Sequence, residues 1–168
     1  NKINITEAHQ SKEVILLPSM GAITDILASL LHSEGIYAET LPKPTNDSLR
    51  FGRQYTSGKE CIPMTITAGS LLERLSREND SDKRFAFFMP TSHGPCRFGV
   101  YNVLHKIILE KTNWGDRVRI VAPNDQDYFA GMSPDFRVRA IAGYAASDLL
   151  MAALHDVRPC EREQGISQ

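Results

Sequence analysis

The chain has 168 residues, 42% of them hydrophobic, which suffices for one domain with a core of its own. Nineteen basic against twenty acidic side chains leave a formal net charge of −1, so no global field draws it to nucleic acid or to an anionic membrane. Apolar runs such as 14–17 and 85–89 fall far short of the roughly 20 residues that span a bilayer, and no basic-then-apolar leader opens the chain; a cytoplasmic location is expected.

Three cysteines are an odd number and too few for a disulfide scaffold, which points to a reducing compartment with free or metal-bound thiols. The start at Asn1 in place of Met suggests a piece cut from a longer protein. Residues 1–12 read as an N-terminal extension, 13–157 as the domain, and 158–168 as a flexible tail.

In chain order, the run Glu13 to Leu17 predicts a strand, closed by Pro18-Ser19-Met20-Gly21. Ile23, Ile26, Leu27, Leu30 and Leu31 then recur at helical spacing, and Gly35 is placed to end that helix in a left-handed cap. Ile36 to Leu41 predicts a second strand before Pro42 and Pro44 break the pattern. The polar stretch 45–60 has room for a short helix packed through Leu49, Phe51 and Tyr55.

Pro63 suits a first helical turn, where its missing N–H is not needed, and Ile66, Leu71, Leu72 and Leu75 supply an apolar face. Arg84 to Met89 is a near-continuous apolar run of the kind a central strand needs when both its faces are covered. After the loop Pro90 to Arg97, helical spacing returns at Val100, Val103, Leu104, Ile107 and Ile108. Val118 to Ala122 predicts a fourth strand, and 138–154 a long Ala-rich helix. Strands alternating with helices imply an α/β, Rossmann-like (flavodoxin-like) three-layer domain, with a mainly parallel sheet and ligands at the carboxyl ends of its strands.

Cys61 and Cys96 both stand just before a predicted helix, in loops that the topology sends to this carboxyl edge. A thiolate at a helix N-terminus is stabilised by exposed N–H groups and by the positive end of the dipole. Gly94 and Pro95 before Cys96, and Pro63 after Cys61, shape the backbone for close approach by a cluster or an anion. Each cysteine alone reads as well as a small buried apolar residue; two in matching settings favour a site.

His93, three residues before Cys96, could join the cysteines in a zinc site, but closed zinc sites need four ligands at recognisable spacings, so zinc is a weaker reading than iron–sulfur. Arg97 suits either the counter-charge of an anionic cluster or a phosphate ligand, and Arg50, Arg53 and Lys59 make the preceding loop basic. Gly52 to Lys59 lacks the spacing of a phosphate-binding loop, and no dinucleotide fingerprint follows any strand. Asp125 and Asp127 read as turn and capping residues, and Cys160 as an incidental surface thiol.

Three segments together carry a resemblance: Leu17-Pro18-Ser19-Met20-Gly21, the stretch from Tyr55 through Cys61 to Pro63, and the stretch from Met89 through Cys96 to Asn102. The chain resembles, over nearly its whole length, the 2-hydroxyacyl-CoA dehydratase component-like domain of the CoA-substrate-specific enzyme activase-related proteins of bacteria. Relatives of that family include 2-hydroxyglutaryl-CoA dehydratase and double-cubane cluster proteins.

The resemblance implies cofactor binding by Cys61, Cys96, Arg97, Ser19 and Gly94, with Cys61 and Cys96 as ligands of a [4Fe–4S] or related iron–sulfur cluster. It also implies an ATP-dependent activase domain as electron donor, a second copy or a partner dehydratase-like domain, and an acyl-CoA. The family's third cysteine would lie further on, and Cys160 stands where an aromatic residue is expected. On this reading the fragment holds an incomplete site and is inactive alone. The alternative is a metal-free module whose loops hold CoA phosphate, another anion or a neighbouring domain.

Overall fold

In the computed structural model, which describes residues 3–124, 129 and 131–166, the domain is α/β with a four-stranded, all-parallel sheet. The strands are β1 (Val14–Leu17), β2 (Ala38–Thr40), β3 (Phe85–Phe88) and β4 (Val118–Val121), in the order β2-β1-β3-β4. Ile15 pairs with Ala38 on one side and Ala86 on the other, and Phe87 pairs with Ile120. The central pair is therefore β1 and β3, the two strands whose sequences are most continuously apolar.

Successive strand residues point to opposite faces, and two cores result. Ile15, Leu17, Ala86 and Phe88 face one core, shared with α1 (Ile5–Gln10), α2 (Ala22–Ser33) and α6 (Pro134–Val157). Leu16, Phe85 and Phe87 face the other, shared with α4 (Ile62–Ser76) and α5 (Tyr101–Lys111). Right-handed crossovers require this division, because the chain leaves β1 in one direction, through α2 to β2, and leaves β3 in the other, through α5 to β4.

The expected elements form with modest trimming, and the left-handed cap at Gly35 is present at φ 74°, its N–H bonded to the His32 carbonyl. The segment before β1 departs from a simple extension. Asn4 caps α1 by accepting from the Glu7 N–H, Ile5 and Ala8 are buried, and Ile3 makes a bridge to Val121. The last helix starts four residues before Val138, with Ser133 accepting from the Phe136 N–H and Pro134 in the first turn. Asp125 and Asp127 lie outside the described residues.

Helix α6 lies antiparallel to α2: Arg139 bonds Ser33 and Glu34 at the end of α2, while Gly143 passes Ile26. Its 24 residues extend for about 36 Å, twice the length of α2. The last turns accordingly run out past the start of α2, over the carboxyl edge, where Leu149 and Leu150 are more than 70% exposed.

Between β2 and α4, helix α3 (Asn46–Arg53) is closed at its start by a capping box of Thr45 and Ser48. It lies backbone to backbone on α4, which fixes the direction from which α4 approaches the sheet edge. A Cβ at Gly69 would stand 1.7 Å from the Ser48 carbonyl oxygen, and one at Gly52 1.9 Å from that of Thr65. Replacement Gly69→Ala must therefore push the two helices apart, and urea unfolding is expected to show a loss of about 3 kcal/mol. An unchanged midpoint would contradict the close approach.

Candidate functional site

Helix α4 returns the chain to the start of β3, so it begins above the carboxyl edge, and Cys61 is its N-cap. Cys96 is the N-cap of a single 3₁₀ turn, Arg97–Val100, that runs directly into α5. Both cysteines have extended backbone, φ −72° in each case, the ordinary geometry of a cap. The two loops are tied together where Arg97 Nη1 donates to the Lys59 carbonyl at 2.8 Å.

Beside Cys61 stands Tyr101, the first residue of α5, 6% exposed and with its hydroxyl 2.6 Å from Cys61 Sγ. Burial pushes the Cys61 thiol up. The Tyr101 hydroxyl, the Met64 N–H and the charge of Arg97 pull it down and outweigh burial, so the thiol lies below its ordinary range. Tyr101 is driven the opposite way by burial, by its bond to Cys61 and by the charges of Cys61 and Cys96. The tyrosine thus holds its proton more tightly than the thiol and donates to the sulfur as Cys61 ionises. Cys61 is half-buried and Cys96 exposed.

Beneath this group His105 is buried, its Nδ1 2.6 Å from the Tyr101 carbonyl. A carbonyl only accepts, so Nδ1 carries the proton, while Nε2 is buried without a partner. Desolvation holds the ring neutral by lowering its pKa to about 4. His105 was not among the sequence candidates; one His in an apolar helix gives no sign of which face it occupies.

The other candidates disperse. Ser19, partly buried, and Gly94, exposed at φ 131°, lie in the loops after β1 and β3 and line neither of the cavities described here. His93 does not complete a zinc site with the cysteines, since no group of three or more His, Cys, Asp or Glu fit to hold a metal forms among the described residues. Arg50 and Arg53 belong to α3 and not to the loop, with Arg50 3.3 Å from Asp47. Cys160 is an exposed thiol in a 3₁₀ turn after α6.

Two concavities flank Tyr101. A groove of about 150 Å³ opens over Cys61, Met64, Val100 and Leu104, and Lys59, Glu60 and Arg97 line it as well. A cavity of about 420 Å³ lies where the loops after β1 and β3 diverge, between Pro18, Met20, Phe88 and Pro90. Phe98 is a wall of that cavity and meets Tyr101 edge-on, ring centres 5.2 Å apart. Sequence reasoning locates the edge but not this cavity, whose lining comes from positions scattered between Pro18 and Tyr144.

For an iron–sulfur cluster, which takes four thiolate ligands, this edge offers two sulfurs at most, Cys61 held toward thiolate and Cys96 exposed. Comparison with protein-family models, with curated proteins and with solved structures finds no match. No helix among the described residues is long and apolar enough to cross a membrane.

Alkylation of Cys61 by iodoacetamide, followed against pH by peptide mass spectrometry, is expected to show a midpoint below that of an ordinary thiol. Tyr101→Phe and Arg97→Gln should each raise the midpoint; indifference to both would refute the assignment. Separately, His105 is neutral in the fold but takes up a proton in the unfolded chain below about pH 6.5. Its contribution is complete above that pH and is lost as pH falls toward about 4. The loss is on the order of 3 kcal/mol. In denaturant melts between these pH values His105→Gln should flatten the dependence.

Proposed function

We propose that this domain supplies two ligands, Cys61 and Cys96, to an iron–sulfur cluster, and that it acts as a component of an ATP-driven, low-potential electron-transfer system in the cytoplasm. The reading rests on one observation above the others: two cysteines from separate loops cap helical turns on the same sheet edge, and Tyr101, in the helix that follows Cys96, bonds to Cys61. It also rests on the resemblance of their flanking motifs to the activase-related dehydratase domains.

A cluster bound there would supply one-electron chemistry to a radical dehydration or a related reduction of an acyl-CoA. The residues of this chain hold and tune it: Tyr101 donates to Cys61, Arg97 adds a positive charge, and the apolar residues around Tyr101 limit water at the inner sulfur. The remaining ligands come from a second copy or from a dehydratase-like partner, and the electron from an activase domain.

The cations Lys59 and Arg97, which line the groove over Cys61 together with the carboxylate of Glu60, favour a second reading, in which that groove takes the phosphate of CoA or another anion with no metal present. Anaerobic reconstitution with iron and sulfide distinguishes the two. The parent should gain the broad visible absorption of thiolate-bound iron, at about two irons per chain if two copies share a four-iron cluster. Cys61→Ser and Cys96→Ser should each lose most of it. Equal iron in the parent and both variants would eliminate the ligand assignment, and metal-free protein that binds CoA would establish the alternative.

A further inference from the structure

We propose that the cavity between the β1 and β3 loops is a binding site for an uncharged, largely apolar small molecule carrying one hydrogen-bond acceptor, which Tyr144 recognises. The volume, about 420 Å³, lies in the range of small-ligand cavities, roughly 300–1,000 Å³. Its place is where ligands bind in open parallel sheets, the crevice at the point where the winding reverses.

The lining decides the class of ligand. Among the described residues no charged side chain lines the cavity, and only Thr24 and Tyr144 are polar. Thr24 is already committed: its hydroxyl donates to the Gly21 carbonyl at 2.9 Å and accepts from the Met20 N–H at 3.2 Å. Pro18 and Pro90 have no N–H to offer. Tyr144 remains, with its hydroxyl making no hydrogen bond to the described residues and its ring against Phe129.

Burial also raises the Tyr144 pKa, so the group stays an O–H donor. A carboxylate or phosphate entering this space would lose its water and meet no cation among the described lining residues, whereas a ketone, ester or amide oxygen could accept from the Tyr144 hydroxyl. The site is separate from the groove over Cys61, with Phe98 standing between them.

The test uses the full chain without iron. Prodan, an uncharged naphthyl ketone whose emission moves to the blue in apolar surroundings, should bind saturably and be displaced by benzylacetone. Hydrocinnamate, which has the same shape but carries a carboxylate, should compete at least tenfold less well. Tyr144→Phe should weaken benzylacetone about fivefold and leave the hydrocarbon isostere isopentylbenzene unchanged.

Ile23 and Ile141 sit at the rim, 49% and 64% exposed, where a larger side chain does not disturb the core. Ile23→Trp or Ile141→Trp should weaken prodan tenfold or more with the circular dichroism melt retained. The proposal is overturned by non-saturable binding, by hydrocinnamate competing as well as the ketone, or by affinity that ignores both tryptophans. It is equally overturned if Tyr144→Phe affects ketone and hydrocarbon alike. The same titration in a Cys61→Ser, Cys96→Ser double variant should be unchanged, so this result is independent of whether iron is bound.

Discussion

One constraint organises this molecule: the chain leaves β1 and β3, its two central strands, in opposite directions. Given right-handed crossovers, that reversal sends α2 to one face of the sheet and α4 and α5 to the other. Side chains alternating along each strand then feed two separate cores, which is why Phe85 and Phe87 on the one side and Ala86 and Phe88 on the other are all buried. The same reversal pulls the loops after β1 and β3 apart and leaves the crevice between them unfilled. Fold and cavity are thus two results of one chirality rule.

On the α4 and α5 side, the chemistry turns on the 2.6 Å contact between Tyr101 and Cys61. A hydrogen bond to a charged acceptor contributes about 1.5–3 kcal/mol, roughly twice a neutral one. It is also shielded here, because Tyr101 is buried while its partner is half-buried. The bond between Arg97 and the Lys59 carbonyl is exposed, and its weight is positional: it keeps the two cysteine loops side by side. Burial alone would disfavour the Cys61 thiolate, so the donated proton, the Met64 N–H and the nearby cation decide the outcome. Cys96, which is exposed, is the more accessible sulfur of the pair.

Much of the fold is legible in the sequence because both central strands are covered on both faces, and such strands must be continuously apolar. Residues 14–17 and 85–88 announce themselves for that reason, and Gly35 for its left-handed cap. Helix α1 is harder to read: it has only six residues, with two apolar contacts, Ile5 and Ala8, and its one local signal is the Asn4-to-Glu7 cap. Helix α6 is legible by propensity but not in its environment, since of its 24 residues only Phe136 and Ala140 are buried. For the site, loop position and the helical spacing that follows each cysteine indicate helix caps, and the structure places Cys61 and Cys96 as caps. Tyr101 escapes because a tyrosine at helical spacing reads as core packing, and it serves as that too. That His93 joins no group of three possible metal ligands among the described residues is a matter of geometry that no spacing could reveal.

The half-set of cysteines sets a condition on any assembly that would complete it. Cys96 is exposed and Cys61 opens into a groove, so further ligands have to arrive from above the carboxyl edge. That approach is flanked by the end of α6, which overruns α2 and carries Leu149 and Leu150 outward over the same edge. A subunit bringing thiolates to Cys61 and Cys96 would come close to this helix and to the rim of the apolar cavity, where Met20 and Ile23 are also exposed. Phe98 joins the two regions physically, one face in the cavity wall and the ring edge-on to Tyr101. A ligand that displaces Phe98 would disturb the tyrosine that holds Cys61 toward thiolate, and one that packs without displacing it would leave the thiols as they are. The reversal in winding thus places an apolar cavity and a thiol site on either side of a single aromatic pair.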